Sequence, residues 1–432
     1  MTLEEVQAAI PNDSALVEYL RYLHYSGKGR SESRYDAVVL RSTGSALWIP
    51  LGNASDIEAL VRRYQTMVRG SPDEDELSAN LKALYQALWM PIQQILSDST
   101  TRVIISPDGR LNFVSFATLL DSNNKFLAEK FAVQYVAAGR DLLQETKLSP
   151  NREVVLFANP DFEFMRTGTL VQREDPSSVG SDERLRGTEK RGMEGLSFDP
   201  LDGTQKESDT LSKMFRSWQW ETTDLSGAKA TKAALLHLQS PYILHLATHG
   251  FFEPAGPSDG EFEQSQPLSG NQNVLKSKFF ENPMHRSGLA LAGAQATINA
   301  WRRGGVPPTE NDGILTAEDV STLNLKGTWL VTLSACDTGS GEAKAGEGVM
   351  GLRRGFIEAG AKNLLMTLWP ISDETTVQIM SNFYQAVHQT GNAPQALATV
   401  QRDWLVRLRQ KEGLAKAVEL AGPFILSSQG SL

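Results

Sequence analysis

The chain has 432 residues, 41% of them hydrophobic, with a formal net charge of -9 and a single cysteine. That length and apolar content make a globular protein with one large core or two to three smaller ones, and one cysteine excludes an internal disulfide or a thiolate metal cluster, which fits a reducing, cytoplasmic setting. No run nears the roughly 18 apolar residues of a membrane span, MTLEEVQAAIPNDS lacks a signal-peptide pattern, and the acidic total points to protein partners, with no direct nucleic acid or membrane contact.

The runs RYDAVVLRS and ALWIPLG, joined by Thr43, Gly44 and Ser45, predict a β-hairpin. Two helices are expected next. The first sets Ile57, Leu60, Val61, Tyr64 and Val68 at helical spacing, and the second sets Leu77, Leu81, Leu84, Leu88, Ile92 and Ile95 on one face. TRVIISPDGRLNFVSFATLL and FAVQYVAA read as strands, punctuated by Pro107, Asp108 and Gly109. The pattern changes near residue 150, which divides the chain into regions 1–150 and 151–432.

From Glu153 strands and helices alternate: EVVLFANP, GTQKESDTLSKMF, WQWETTDL, KATKAALLHL and PYILHLATHGFF. GTWLVTLSAC, VMGLRRGFIEA, AKNLLMTLW, DETTVQIMSNFYQAV, PQALATVQRDWLVRL and AGPFILS continue the series. Such alternation predicts an α/β fold with a mainly parallel sheet flanked by helices. Two polar, glycine-rich stretches, residues 163–200 and 253–287, are expected to be long mobile loops.

Two of these strands end in chemically capable residues, His249 after YILHLAT and Cys336 after LVTLSA. Carboxyl ends of parallel strands form the binding edge of an open sheet, so the two side chains are expected at one rim, as a thiol nucleophile with its imidazole base. Either residue alone is as readily a buried core side chain; their joint placement is what points to catalysis. Gly250 and the small residues around Cys336 leave room for a substrate backbone, and the N–H groups of Gly250 and Cys336 would serve as oxyanion donors.

HLATHGFF together with LVTLSACDTGSGEAKAGEGVMGLRRGFIEAGAKNLLMTLWPISDETT resembles the CHAT family of caspase-like cysteine peptidases, related to caspases and separases. VIISPDGRLNFVSFATLL, FAVQYVAAG, VLFANPDF and LDGTQKESDTLSKMF are similar to the family's recurrent segments in the same order. The resemblance implies a caspase-like fold, an N-terminal α+β region resembling an inactive peptidase half, and a His249/Cys336 dyad. LWPISDETT is also similar to the separase stretch that holds the acidic floor of the substrate pocket. This places that role on Asp373 and implies cleavage after Arg or Lys. Asp373 equally suits a helix N-cap, and Asp337 and Glu347 are rival carboxylates. Arg166, Arg173, Arg184, Arg186 and Arg191 are then possible self-cleavage points, unless the loop is merely a solvated insertion. Family members commonly carry tetratricopeptide repeats, and this chain has none. The resemblance therefore implies a separate sensor or a repeat domain elsewhere. Its likeness to bacterial family members implies a protease released by a sensor in defence or cell death, acting on a gasdermin or another effector.

Two other readings compete. Gly346, Gly348 and Gly351 match G-x-G-x-x-G with Asp373 beyond them, as in a dinucleotide fingerprint, but about ten residues separate LVTLSAC from Gly346 where the fingerprint has the glycine follow its strand directly. A catalytically silent scaffold is the other. The scattered histidines make no metal site and no cofactor is expected: His245 and His249, four apart on a strand, stand about 13 Å from each other.

Overall fold

The computed structural model describes residues 1–27, 30–145, 147–150, 152–164, 196–252, 284, 287–303, 312–334, 345–371 and 373–430, with the backbone alone at 202, 252, 345–350 and 373. The chain forms two compact units: Met1–Pro150, Gly327–Ser334 and Ala361–Leu432 make one, and Asn151–Lys326 with Ala335–Gly360 make the other. Among the described residues the strands are β1 (Ser14–Gly27), β2 (Arg30–Arg41), β3 (Leu47–Asn53), β4 (Arg102–Ser106), β5 (Ala132–Tyr135), β6 (Glu153–Pro160) and β7 (Glu221–Gly227). They continue as β8 (Ile243–Ala247), β9 (Gly250–Phe252), β10 (Ser287–Ala290), β11 (Ile314–Thr316), β12 (Leu330–Leu333), β13 (Asn363–Thr367) and β14 (Phe424–Ser428).

In the first unit the strand order is β3-β2-β1-β4-β5-β14-β13-β12. The pairs β1/β4, β4/β5, β5/β14 and β12/β13 are parallel. β1/β2, β2/β3 and β13/β14 are antiparallel. The hairpin read at residues 34–52 is β2–β3, with Val38 opposite Trp48 and Gly44 at φ 92° in the turn, where a side chain would be strained. β1 pairs along β2 from Ala15↔Arg41 to Gly27↔Arg30 and had no expectation attached to it.

Both helices after the hairpin form. Ala54–Met67 buries Ile57, Val61 and Tyr64, and Glu74–Leu84 buries Leu77, Leu81 and Leu84. The second widens into a π turn at Tyr85–Trp89, where Met90 N–H reaches back to the Tyr85 carbonyl, ahead of Pro91, which has no N–H to continue the ladder.

One expectation fails here. LNFVSFATLL is not a strand but two 3-10 turns, Gly109–Phe113 and Phe116–Thr118. Side chains supply the partners a sheet would have given. The Tyr135 hydroxyl accepts from Phe116 N–H at 2.9 Å, and Thr118 Oγ1 donates to the Ser115 carbonyl at 2.8 Å. Leu111, Val114, Phe116 and Leu119 are all buried, so a stretch rich in apolar and aromatic residues did not distinguish a strand from a packed turn.

In the second unit β8, β6 and β7 lie side by side and parallel, with Val154 opposite both Ile243 and Thr222. All five residues of β8 are buried, the continuous apolar pattern of a parallel strand covered on its faces. Helix Asp202–Ser217 packs on β6 and β7. A small antiparallel sheet, β11-β10-β9, accompanies them. At Gly288 of β10 an added Cβ would stand 2.2 Å from the Leu315 carbonyl oxygen and 2.6 Å from the Phe251 ring, so only glycine permits that approach. The described ends of the two expected loops are built into this unit: Phe198 is buried, Met284 is buried, and Ser287 opens β10. Their polar composition hid those anchors, and residues 165–195 and 253–283 lie outside the described residues.

A buried cation pins β11. Lys232 Nζ lies 2.8 Å from Asp319 Oδ2, 2.8 Å from the Ile314 carbonyl and 3.6 Å from Asp312 Oδ1. Asp319 also accepts from Thr316 N–H at the start of helix Ala317–Ser321, against which helix Ala345–Glu358 packs through Gly355. Burial pushes the Asp312 carboxyl up to about 6, against the pull of Lys232. A raised folded-state value adds stability below the unfolded value near 4, and that contribution is lost as pH rises through 6. For a fully buried group the shift would be worth about 3 kcal/mol. With 22% of the side chain exposed, Asp312→Asn is expected to gain about 2 kcal/mol on wild type between pH 4 and pH 7. Urea unfolding of both proteins at four pH values reads this directly, and a difference that does not change with pH would contradict it.

Candidate active site

His249 stands two residues past the carboxyl end of β8 and is 6% exposed. Two bonds tie this point of the chain to β10: the His249 carbonyl accepts from Ala290 N–H at 2.9 Å, and the Thr248 side-chain hydroxyl donates to the Ala290 carbonyl. Its ring forms a triangle with Phe162, 5.3 Å away, and Phe198, 5.9 Å away, whose own centroids are 5.9 Å apart. Phe251 closes on Phe198 from 6.1 Å. Such ring contacts contribute about 1 kcal/mol each beyond buried area, and here both are tilted, at 41° and 35° to the imidazole.

The imidazole's hydrogen bond fixes its tautomer. Nε2 lies 2.8 Å from the backbone carbonyl oxygen of Asp199. A carbonyl only accepts, so Nε2 carries the hydrogen and Nδ1 is the basic nitrogen of the neutral ring.

Gly250 follows at the start of β9. It pairs with Leu289, yet the ladder bond on that side runs from Ala290 N–H to His249. Gly250 and Leu289 are therefore a non-hydrogen-bonded pair, and the Gly250 N–H points away from β10. Among the described residues β9 is the outer strand of its sheet, and that N–H lies on the side away from β10.

Cys336 and Asp337 lie outside the described residues, as do Arg166, Arg173, Arg184, Arg186 and Arg191. Glu347 falls in the first turn of helix Ala345–Glu358. Asp373 is the first residue of helix Asp373–Thr390. Gly346, Gly348 and Gly351 all lie within helix Ala345–Glu358, so the turn that a dinucleotide fingerprint requires is absent there. His245 is fully buried on β8 with Nε2 3.3 Å from Glu207 Oε1, also buried, an internal pair between strand and helix.

Phe162, Phe198 and the Asp199 carbonyl had no place in the sequence reading. Phe162 belongs to FANPDF and could have been found as an aromatic just past a strand end. The role of Asp199 is carried by its backbone, which no side-chain pattern records.

The profile of the CHAT domain matches residues 78–415. Among curated proteins, Tetratricopeptide repeat protein 28 of Mus musculus is 24% identical over 315 residues, covering 71% of this chain and 12% of its own length. The Homo sapiens protein of that name is 23% identical over 320 residues, covering 71% and 11%. The chain thus spans about an eighth of the curated relatives it matches. Among solved structures, the crystal structure of the Saccharomyces cerevisiae separase-securin complex is similar with a TM-score of 0.48 and 8% identity, covering 99% of this chain and 30% of that one. No helix among the described residues is long and apolar enough to cross a membrane.

Proposed function

This chain belongs to the CHAT domain family, and from that membership and the geometry at His249 we propose that it is a cysteine endopeptidase with a His249/Cys336 dyad. The observation that carries the reading is the 2.8 Å bond from His249 Nε2 to the Asp199 carbonyl, because it leaves Nδ1 as the nitrogen able to take a proton. Nδ1 removes the Cys336 thiol proton as Sγ attacks the scissile carbonyl carbon. The oxyanion forms against the N–H groups of Gly250 and Cys336, a role supported by the outward aim of the Gly250 N–H. Nδ1–H then passes its proton to the departing amine, leaving a thioester. Water adds to it, giving a proton to Nδ1, and the thiol returns as the carboxylic acid leaves.

The substrate is a protein cleaved after Arg or Lys, with Asp373 as the pocket's anion and Asp337 and Glu347 as alternatives. The protein acts in the cytoplasm under a sensor or a repeat-bearing partner, a reading supported by the tetratricopeptide repeats in the names of the curated relatives. Cleavage of its own 163–200 segment belongs to the same specificity, as does a role in bacterial defence or cell death through a gasdermin or another effector.

A fluorogenic peptide panel varied at the residue before the scissile bond tests this, with wild type beside Cys336→Ala and intact masses of both taken in parallel. Release from Arg and Lys peptides by wild type alone is expected, with any self-cleavage fragments ending at an arginine. Equal output from both proteins, or release independent of the basic residue, would contradict the reading.

A further inference from the structure

The carbonyl that fixes the His249 tautomer belongs to a segment, Leu196–Leu201, whose described residues adopt no regular helix or strand. An irregular strap holds an atom at 2.8 Å only if something outside the strap fixes it. Its ties are few. The Arg302 guanidinium donates to the Leu196 carbonyl at 2.8 Å, but it is exposed and contributes little. At the other end the Thr204 hydroxyl donates to the Leu201 carbonyl at 2.7 Å. Between them, next to Asp199, the Phe198 N–H donates to Gln295 Oε1 at 2.8 Å in a buried environment.

Gln295 is 7% exposed and lies in the first turn of helix Ala294–Arg302. Its backbone N–H donates to the Phe162 carbonyl at 2.9 Å, and its side-chain Nε2 donates to Asn299 Oδ1 at 3.0 Å, which orients the amide so that Oε1 faces Phe198. One residue therefore holds both phenylalanines that flank His249, Phe162 through its main chain and Phe198 through its side chain. It also sets the position of the carbonyl one residue beyond Phe198.

We propose that Gln295 is a positioning residue for His249, fixing its ring and its Nε2–H tautomer through Phe198 and the Asp199 carbonyl. The proposal rests on the peptidase reading for its kinetic consequence and on geometry alone for its spectroscopic one. Gln295→Met keeps the side-chain volume and removes the acceptor, leaving the buried Phe198 N–H without its bond. Gln295→Glu keeps an acceptor, and the Asn299 amide can turn to donate to it.

The test measures histidine ring 15N shifts and Hε2 exchange in the full chain, with peptide cleavage in parallel. Gln295→Met is expected to lose the slow-exchanging Hε2 of His249, shift the ring toward a mixture of tautomers, and lower kcat about ten-fold with KM changed less than about two-fold. Gln295→Glu is expected to restore both readouts to within about three-fold of wild type. Ring signals in Gln295→Met identical to wild type would overturn the proposal whatever the activity. An inactive wild type whose His249 ring signals change in Gln295→Met would support it while removing the peptidase reading. Should Gln295→Met fail to fold, amide exchange in wild type decides: Phe198 N–H protected like the amides of β8 supports the tether, and exchange at the rate of an exposed amide overturns it.

Discussion

His249→Ala is expected to lower kcat/KM on an Arg peptide by at least about 10³, and Cys336→Ala by as much or more. A thiol without its base is mostly protonated at neutral pH, and the departing amine has no proton donor, so both halves of the reaction fail together. For the same reason the two losses do not add. The double variant should be no slower than Cys336→Ala alone. The variants differ in stability. Cys336→Ala should keep the melting temperature, whereas removing an imidazole packed between Phe162 and Phe198 opens a hole and should cost about 2 to 4 kcal/mol. Thermal melts beside the kinetics separate this loss from the chemical one. A His249→Ala protein that melts a few degrees lower yet cleaves at the wild-type rate would remove the base from the scheme.

Asp373→Asn is expected to cost about 10² in kcat/KM for Arg and Lys peptides, mostly through KM, because a substrate cation entering the pocket would lose its charged partner. The helix beginning at Asp373 should still form, since asparagine is tolerated in a first turn. Parallel measurements on Asp337→Asn and Glu347→Gln assign the pocket by comparison. If Asp373→Asn retains wild-type selectivity and one of the others loses it, the anion belongs to that residue instead.

The alternation from Glu153 onward was legible because parallel strands buried on their faces become apolar runs, as in ILHLA of β8, and the helices between them carry their own period. The hairpin β2–β3 was equally legible from its turn and alternation. LNFVSFATLL was misread because its residues from Val114 to Leu120 are buried without a break, which erases the period that separates strand from turn. The site divides along similar lines. His249 was visible as a titratable residue at a strand end followed by glycine. What orients it was not: Asp199 contributes a main-chain carbonyl from a stretch that reads as a polar loop, and Gln295 lies 97 positions beyond the Phe198 it holds, in AGAQATIN. Long-range hydrogen bonds to backbone atoms leave no spacing rule to follow.

The measurement that bears most directly on the dyad is covalent labelling by an Arg-bearing peptidyl ketone electrophile, read by intact mass, because Cys336 is the single cysteine and any thiol adduct is assigned without ambiguity. One adduct per chain is expected on wild type, forming at least about 10² faster than on His249→Ala, and none on Cys336→Ala. Equal labelling rates in wild type and His249→Ala, or an adduct that persists in Cys336→Ala, would contradict a His249-activated Cys336.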